Sequence, residues 1–394
     1  MAAATLGVLL ATAGVGTQAG VAEAAPTSAT ASSTAFADVA SLVASAATPP
    51  VFDAGYIISD ALFYDGDALD AAGIQHFLDE KVAACSPGVV CLADYRQSTV
   101  TREADDVCRA YRGKADESAA EIIAKVGHAC GISQKALLVL VQKEQGLVLD
   151  PAPTTGDFSF AAGYACPDTA TCDTEYSGFY NQVYWAAWQL KRYANPPGTS
   201  EFFTTRPIGT PAPIAYNPDQ ACGAADVTLM NIATAALYYY TPYQPNPATV
   251  AGAKDDPCGA YGNLNFWTFY SEWFGDPKQG SVATGALEGV TVVRGRVVAT
   301  GWAIDPSSVR TGSSVRLSVT DAAGRLKTTT VGAASGSDGA LSVSTLAGAE
   351  HGFNGGVTVE SQGLVRVCAT ALPLPGTSSA ATAIGCMTTF ALTP

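Results

Sequence analysis

Residues 120–148 read AEIIAKVGHACGISQKALLVLVQKEQGLV, two apolar runs at helical spacing with Gly131 between them and Gly146 closing the second. If the second run is helical from Ser133 to Gln145, then Leu137, Val141 and Glu144 fall at i, i+4 and i+7, with Leu140 one turn before Glu144. The carboxylate then extends an apolar stripe instead of facing solvent. Apolar neighbours and the negative end of the helix dipole favour a carboxyl group that keeps its proton. In that form a side chain can protonate a glycosidic oxygen. The competing arrangement is a surface glutamate in the last turn, balanced by Lys143 or Lys135.

Further helices are expected on both sides of this pair. LDAAGIQHFLDEKVAAC (69–85) has Asp70 placed as a cap and Ile74, Phe77 and Leu78 on one stripe. DESAAEIIAKVGHACG (116–131) is expected to start at Asp116 and to stop at Gly131. GFYNQVYWAAWQLKRYA (178–194) and DVTLMNIATAALYYYTPY (226–243) complete the set, with Pro242 ending the latter. Residues 51–276 therefore read as one helical domain.

After a polar, small-residue hinge at 277–286, residues 287–394 change character. GVTVVRGRVVATGWAID, SSVRLSVTDAAGRLKTTTV, ALSVSTL, GFNGGVTVES and LVRVCATAL are short, β-branched and often alternating, with Gly, Asp and Ser turns between them. This is the pattern of a small antiparallel sandwich, with Trp302 and Phe353 as its large core candidates. The fold class is thus α+β and multidomain, a mainly helical domain followed by a small all-β sandwich.

The 394 residues fit two domains plus tails at about 150 residues per domain. Residues 1–25 resemble the remnant of a secretory signal, an apolar run followed by the small residues of AEAAPTSA, and 26–50 read as an Ala/Ser/Thr/Pro linker. Secretion is the expected localisation. Ten cysteines agree with an oxidising compartment. Order along the chain favours neighbours as partners: Cys85 with Cys91, Cys108 with Cys130, Cys166 with Cys172, Cys222 with Cys258, and Cys368 with Cys386.

A formal charge of -14 makes nucleic acid a poor partner, and attachment to an anionic polymer by overall charge is equally disfavoured. The apolar N-terminal run is too short and too glycine-broken for stable membrane insertion. No cofactor and no metal is expected: the cysteine spacings are wider than zinc sites use, and FYDGDALD (63–70) reads as a turn and helix cap more readily than as a calcium loop. Phosphate-loop, HExxH and GxSxG patterns are absent from the sequence. The chain is expected to act as a monomer.

The 120–148 segment resembles the lysozyme-like fold of soluble lytic transglycosylases and goose-type lysozymes, in which one helix leads by a short turn to another that ends in the catalytic glutamate. The matching residues here are Gln142, Glu144, Gln145 and Gly146, with Gln145 standing where the transglycosylase pattern usually has Ser. More broadly, residues 53–276 resemble secreted actinobacterial lysozyme-like proteins, and GWAIDP with the late cysteine pair resembles bacterial Ig-like modules of cell-wall hydrolases. The resemblance implies a glycoside hydrolase or lytic transglycosylase acting on a β-linked amino-sugar glycan, peptidoglycan first, with Glu144 as general acid; the alternatives are a non-catalytic glycan-binding or adhesin-like secreted protein and a hydrolase of a different polysaccharide.

Glycoside hydrolysis commonly uses a second carboxylate. Asp173 and Glu175 are the leading candidates, ahead of Asp157 and Asp168, all in the connection after the Glu144 helix. Candidate substrate contacts are Gln145, Tyr164, Tyr176, Gln182 and Tyr239. Gln182 and Tyr239 rest on the resemblance, which places their helices about the groove.

Overall fold

The helical start and stop signals of residues 51–276 and the alternating strands beyond them fold in the expected order. The computed structural model describes residues 51–167, 170–278, 282–332, 351–377 and 379–392. The signal-like and linker segments (1–50), ALSVSTL (340–346) and Asp168 lie outside the described residues.

The helical region contains α1 (Asp60–Phe63), α2 (Ala71–Lys81), a small ladder of β1 (Arg96–Gln97) with β2 (Glu117–Ser118), α3 (Ala119–Cys130), α4 (Gln134–Gln145), α5 (Thr155–Ser159) and α6 (Phe179–Arg192). It continues through a second ladder of β3 (Ala212–Ala215) and β4 (Ala224–Val227), then α7 (Ile232–Tyr240), α8 (Pro247–Val250) and α9 (Gly262–Phe274). Asp70 caps α2 by accepting from Gly73 N at 2.7 Å, as its position predicted.

Two boundaries and one whole helix differ from the sequence reading. Ser118, not Asp116, caps α3: its hydroxyl accepts from Glu121 N while Glu121 accepts from Ser118 N, a reciprocal capping box. Asp116 sits two residues earlier with a positive φ and pairs with Arg96. Residues 226–231 are not helical; Asn231 caps α7, because β4 claims the preceding residues for its pairing with β3. The aromatic α9 was not anticipated, since GNLNFWTFYSEWF carries apolar residues on several faces and gives no single stripe.

Glu121 allows a pH test. Hydrogen bonds from Lys114 and the Ser118 backbone hold its carboxyl down at about 2. A lowered native value means that its contribution to stability is present above the ordinary carboxylate range and is lost as pH falls toward 2. Glu121→Gln is expected to lower stability by about 0.5–2 kcal/mol at neutral pH, with the difference from wild type vanishing near pH 2 in denaturant titrations.

The α4 helix is central. Gln134 and every residue from Ala136 to Gln142 are buried, and the helix packs on α3, α6 and α9. The expected one-sided stripe is therefore an all-round apolar helix.

The C-terminal region holds β5 (Thr284–Val293), β6 (Arg296–Ile304), β7 (Val315–Thr320), β8 (Leu326–Val331), β9 (Gly352–Thr358), β10 (Gly363–Ala371) and β11 (Thr382–Ala391). A three-stranded sheet β5-β6-β9 and a four-stranded sheet β11-β10-β7-β8, both antiparallel, form a small sandwich-like layer pair. Val297, Ala299, Leu317, Val319, Phe353, Val365 and Val367 share its core. Arg294 and Gly295, both at positive φ, make the two-residue turn between β5 and β6. Trp302 packs elsewhere, with Ala194, Ile232, Ile304 and Val309, where strand and helix residues meet.

Residues 50–394 form one compact unit. The loop after β6 enters the helical region: Asp60, 1% exposed, accepts from Ala233 N at 2.8 Å and from Val309 N at 2.9 Å, and its own N–H donates to Ser307 O. Asn231 donates to Ile58 O and Ser307 O, and Ser308 Oγ donates to Met230 O. The loop is itself held by Asp305, which accepts from Ser307 N, Ser379 Oγ, Leu374 N and Thr377 Oγ1. Burial alone would raise the Asp305 pKa, but these donors outweigh it and hold it below its ordinary value.

All five expected disulfides are present: 85–91, 108–130, 166–172, 222–258 and 368–386. No helix among the described residues is long and apolar enough to cross a membrane.

Candidate active site

Glu144 occupies the penultimate position of α4, before Gly146 closes the helix in the left-handed conformation. Its side chain is 25% exposed, whereas that of Lys143 is only 3% exposed. Lys143 Nζ lies 2.6 Å from Glu144 Oε1 and donates to Thr241 Oγ1 at 2.8 Å. The carboxyl group is thus ion-paired at one oxygen, not surrounded by apolar atoms alone. Lys143 was foreseen as a balancing charge; its burial was not.

The other oxygen faces Gly163. A Cβ built there would stand 2.7 Å from Glu144 Oε2, and the residue has φ +68°, so both space and backbone demand glycine. Gly163→Ala is expected to push the carboxyl aside and to destabilise the fold by about 1–2 kcal/mol. A denaturant titration of the variant beside wild type reads that loss.

Gln182 holds the loop that carries Gly163. Fully buried on α6, it accepts from Tyr164 N at 2.9 Å and donates to Tyr164 O and Tyr176 O. With its amide committed to backbone, Gln182 shapes the wall from behind and offers nothing to a substrate. The same loop is tied by Tyr240, whose hydroxyl donates to Ala162 O at 2.8 Å, and by the Cys166–Cys172 bridge. Ala165, at φ +57°, is a strained non-glycine residue in the same wall.

A cleft of about 560 Å³ opens along this loop. It is lined by Gly163, Tyr164, Ala165, Cys166, Pro167, Thr171 and Asp173, with Gln189 of α6, Tyr193 just beyond that helix, Phe203, and Tyr240 of α7. Glu144 is not itself in the lining; it stands against Gly163, which is, and its charge is felt at Tyr240. Burial raises the phenol of Tyr240 well above its ordinary value, and with neighbouring Tyr164 it lifts Tyr193 to about 12. These tyrosines therefore stay protonated at neutral pH, and the single O–H of Tyr240 is already spent on Ala162 O.

The sequence candidates divide accordingly. Tyr164 and Asp173 line the cleft, and Asp173 also receives the N–H of Glu175 at 3.0 Å. Tyr176 stands behind Tyr164 in edge contact at 5.0 Å, in a cluster with Trp185. Glu175 is exposed and outside the lining, and Asp157 caps α5. Gln145 is partly exposed at the end of α4, beside Glu144 in sequence. Tyr239 stacks on Tyr193 at 5.2 Å and accepts from Arg206 N, so it supports the lining from the side. Its neighbour Tyr240 takes the place at the wall. Sequence reasoning passed over Tyr240, Tyr193, Phe203 and Gln189; the tyrosine run named the region, but the rotation of a nine-residue helix decided which ring faces the cleft.

A second cavity of about 530 Å³ near α2 and α3 is lined by Asp67, Asp70, Tyr111, Lys125 and His128 among others. Apart from Arg112, its charged groups are already occupied: Asp67 pairs with His128, Asp70 caps α2, and Lys125 pairs with the buried Glu117. The Glu144 carboxyl stands beside a wall of aromatic rings, with its Oε1 held by Lys143. Compared with family models, curated proteins and solved structures, the chain matches none.

Proposed function

We propose that this chain is a secreted glycoside hydrolase or lytic transglycosylase that cleaves a β-linked amino-sugar glycan, peptidoglycan in the first place. One observation carries the reading: the Glu144 carboxyl, at the end of the central helix, packs against Gly163 in the wall of an aromatic cleft that Asp173 also lines. The resemblance of the α3–α4 segment to lysozyme-like enzymes supports it. Glu144 protonates the leaving oxygen from Oε2, while Lys143 holds Oε1. Either water, directed by Asp173 from the same cleft, or the muramoyl 6-hydroxyl then completes the reaction.

The test is product analysis by mass spectrometry after incubation with purified peptidoglycan and with neutral and amino polysaccharides. Reducing-end muropeptides identify hydrolysis, and anhydro-muramoyl ends identify lytic cleavage. Absence of any product across the panel sinks the enzymatic reading. Binding without cleavage is the second reading, and the engagement of Oε1 by Lys143 is the observation that favours it.

A further inference from the structure

The strand register of the four-stranded sheet sorts its side chains into two faces. Val315, Leu317 and Val319 of β7 and Val365, Val367, Ala369 and Ala371 of β10 are buried, so the alternate residues point outward. Cross-strand pairing sets those in rows. Phe390 lies opposite Leu364; Thr388, Arg366, Thr320 and Leu326 form the next row; Thr370, Arg316 and Thr330 form another. Between them runs the row of the Cys368–Cys386 bridge, continued by Ser318 and Thr328.

Two properties set this face apart. It carries Arg316 and Arg366 and, on its four strands, no outward Asp or Glu, in a chain whose net charge is -14. Neither guanidinium has an ion pair or hydrogen bond among the described residues. It also exposes large apolar side chains, Leu326 at 64%, Leu364 at 65% and Phe390 at 54%.

We propose that this outward face is a docking surface for a carboxylate-bearing polysaccharide, with Arg316 and Arg366 meeting its acidic groups and the Phe390 ring meeting the apolar face of a sugar. Charge complementarity selects an anion, and arginine suits a carboxylate through paired N–H donors. The Thr and Ser hydroxyls between the arginines suit a hydroxyl-rich partner. Overall charge disfavours anionic polymers; the segregation of charge onto one sheet face reverses that locally.

Affinity electrophoresis of the full chain in gels containing polygalacturonate, dextran or polyphosphate tests this. The assay reads binding alone, so its result is separate from whether Glu144 cleaves glycans; using Glu144→Gln protein removes any cutting. Polygalacturonate should retard the protein, with retardation falling as salt rises, and R316Q/R366Q should weaken it at least tenfold. Phe390→Ala, at an exposed site, should weaken it severalfold without changing the unfolding midpoint. Absence of retardation, equal retardation by dextran or polyphosphate, or undiminished binding by the double variant would overturn the proposal.

Discussion

Glu144→Gln is expected to reduce glycan cleavage by about 10²–10⁴-fold, the range that a positioned general acid contributes. The amide fills the same space against Gly163, but it removes the charge paired with Lys143 as well as the transferable proton. Fold and cleft should survive, because Lys143 keeps its hydrogen bond to Thr241, but the unfolding midpoint should fall with the loss of the ion pair to a 3% exposed ammonium. Glycan affinity of the variant should remain close to wild type, which separates a lost chemical step from a lost site. Turnover within twofold of wild type would remove Glu144 from the reaction. Asp173→Asn is the companion measurement, because this second carboxylate shares the cleft lining. If it directs water, hydrolysis falls and Glu144 retains a partial reaction.

The second large effect concerns the junction of helices and strands. Asp60→Ala is expected to destabilise the protein by about 2–6 kcal/mol, because it strands two buried N–H donors, Ala233 and Val309, at about 1–3 kcal/mol each. The measurement is a denaturant titration followed by circular dichroism for the helices and by tryptophan fluorescence. Both probes should shift together, since Asp60 joins α7 to the loop after β6. A shift below 1 kcal/mol would mean that water satisfies these groups.

Asp60 also has a pH signature of opposite sign to that of Glu121. Burial, partly offset by the backbone N–H groups, raises its carboxyl to about 7. The native state therefore keeps a proton that the unfolded chain has already released. Its contribution to stability falls as pH rises from about 4 to 7, and that part of the slope should disappear in Asp60→Ala.

Much of this architecture is written locally. The cap at Asp70, the glycine stops at 131 and 146, the alternating strands and all five cysteine pairings follow from residues near one another in sequence. Local chemistry also named Glu144, because a carboxylate at the end of an apolar helix is conspicuous without knowledge of its surroundings.

What surrounds that carboxylate was decided by tertiary structure. The identity of its partners depends on where residues 163 and 240–241 arrive after long connections, and periodicity holds no information about that. Gln182 shows the point most clearly: a polar side chain facing a groove and one spent entirely on loop backbone look the same in sequence. Likewise the position of Trp302 among helix residues, and the burial of Asp60 beneath a loop about 250 residues away, arise from packing between distant segments. The sequence by itself determined the elements and the reactive candidate, because those are set by neighbours along the chain. Only the folded chain decided which groups face the cleft, because burial is settled between elements and not within them.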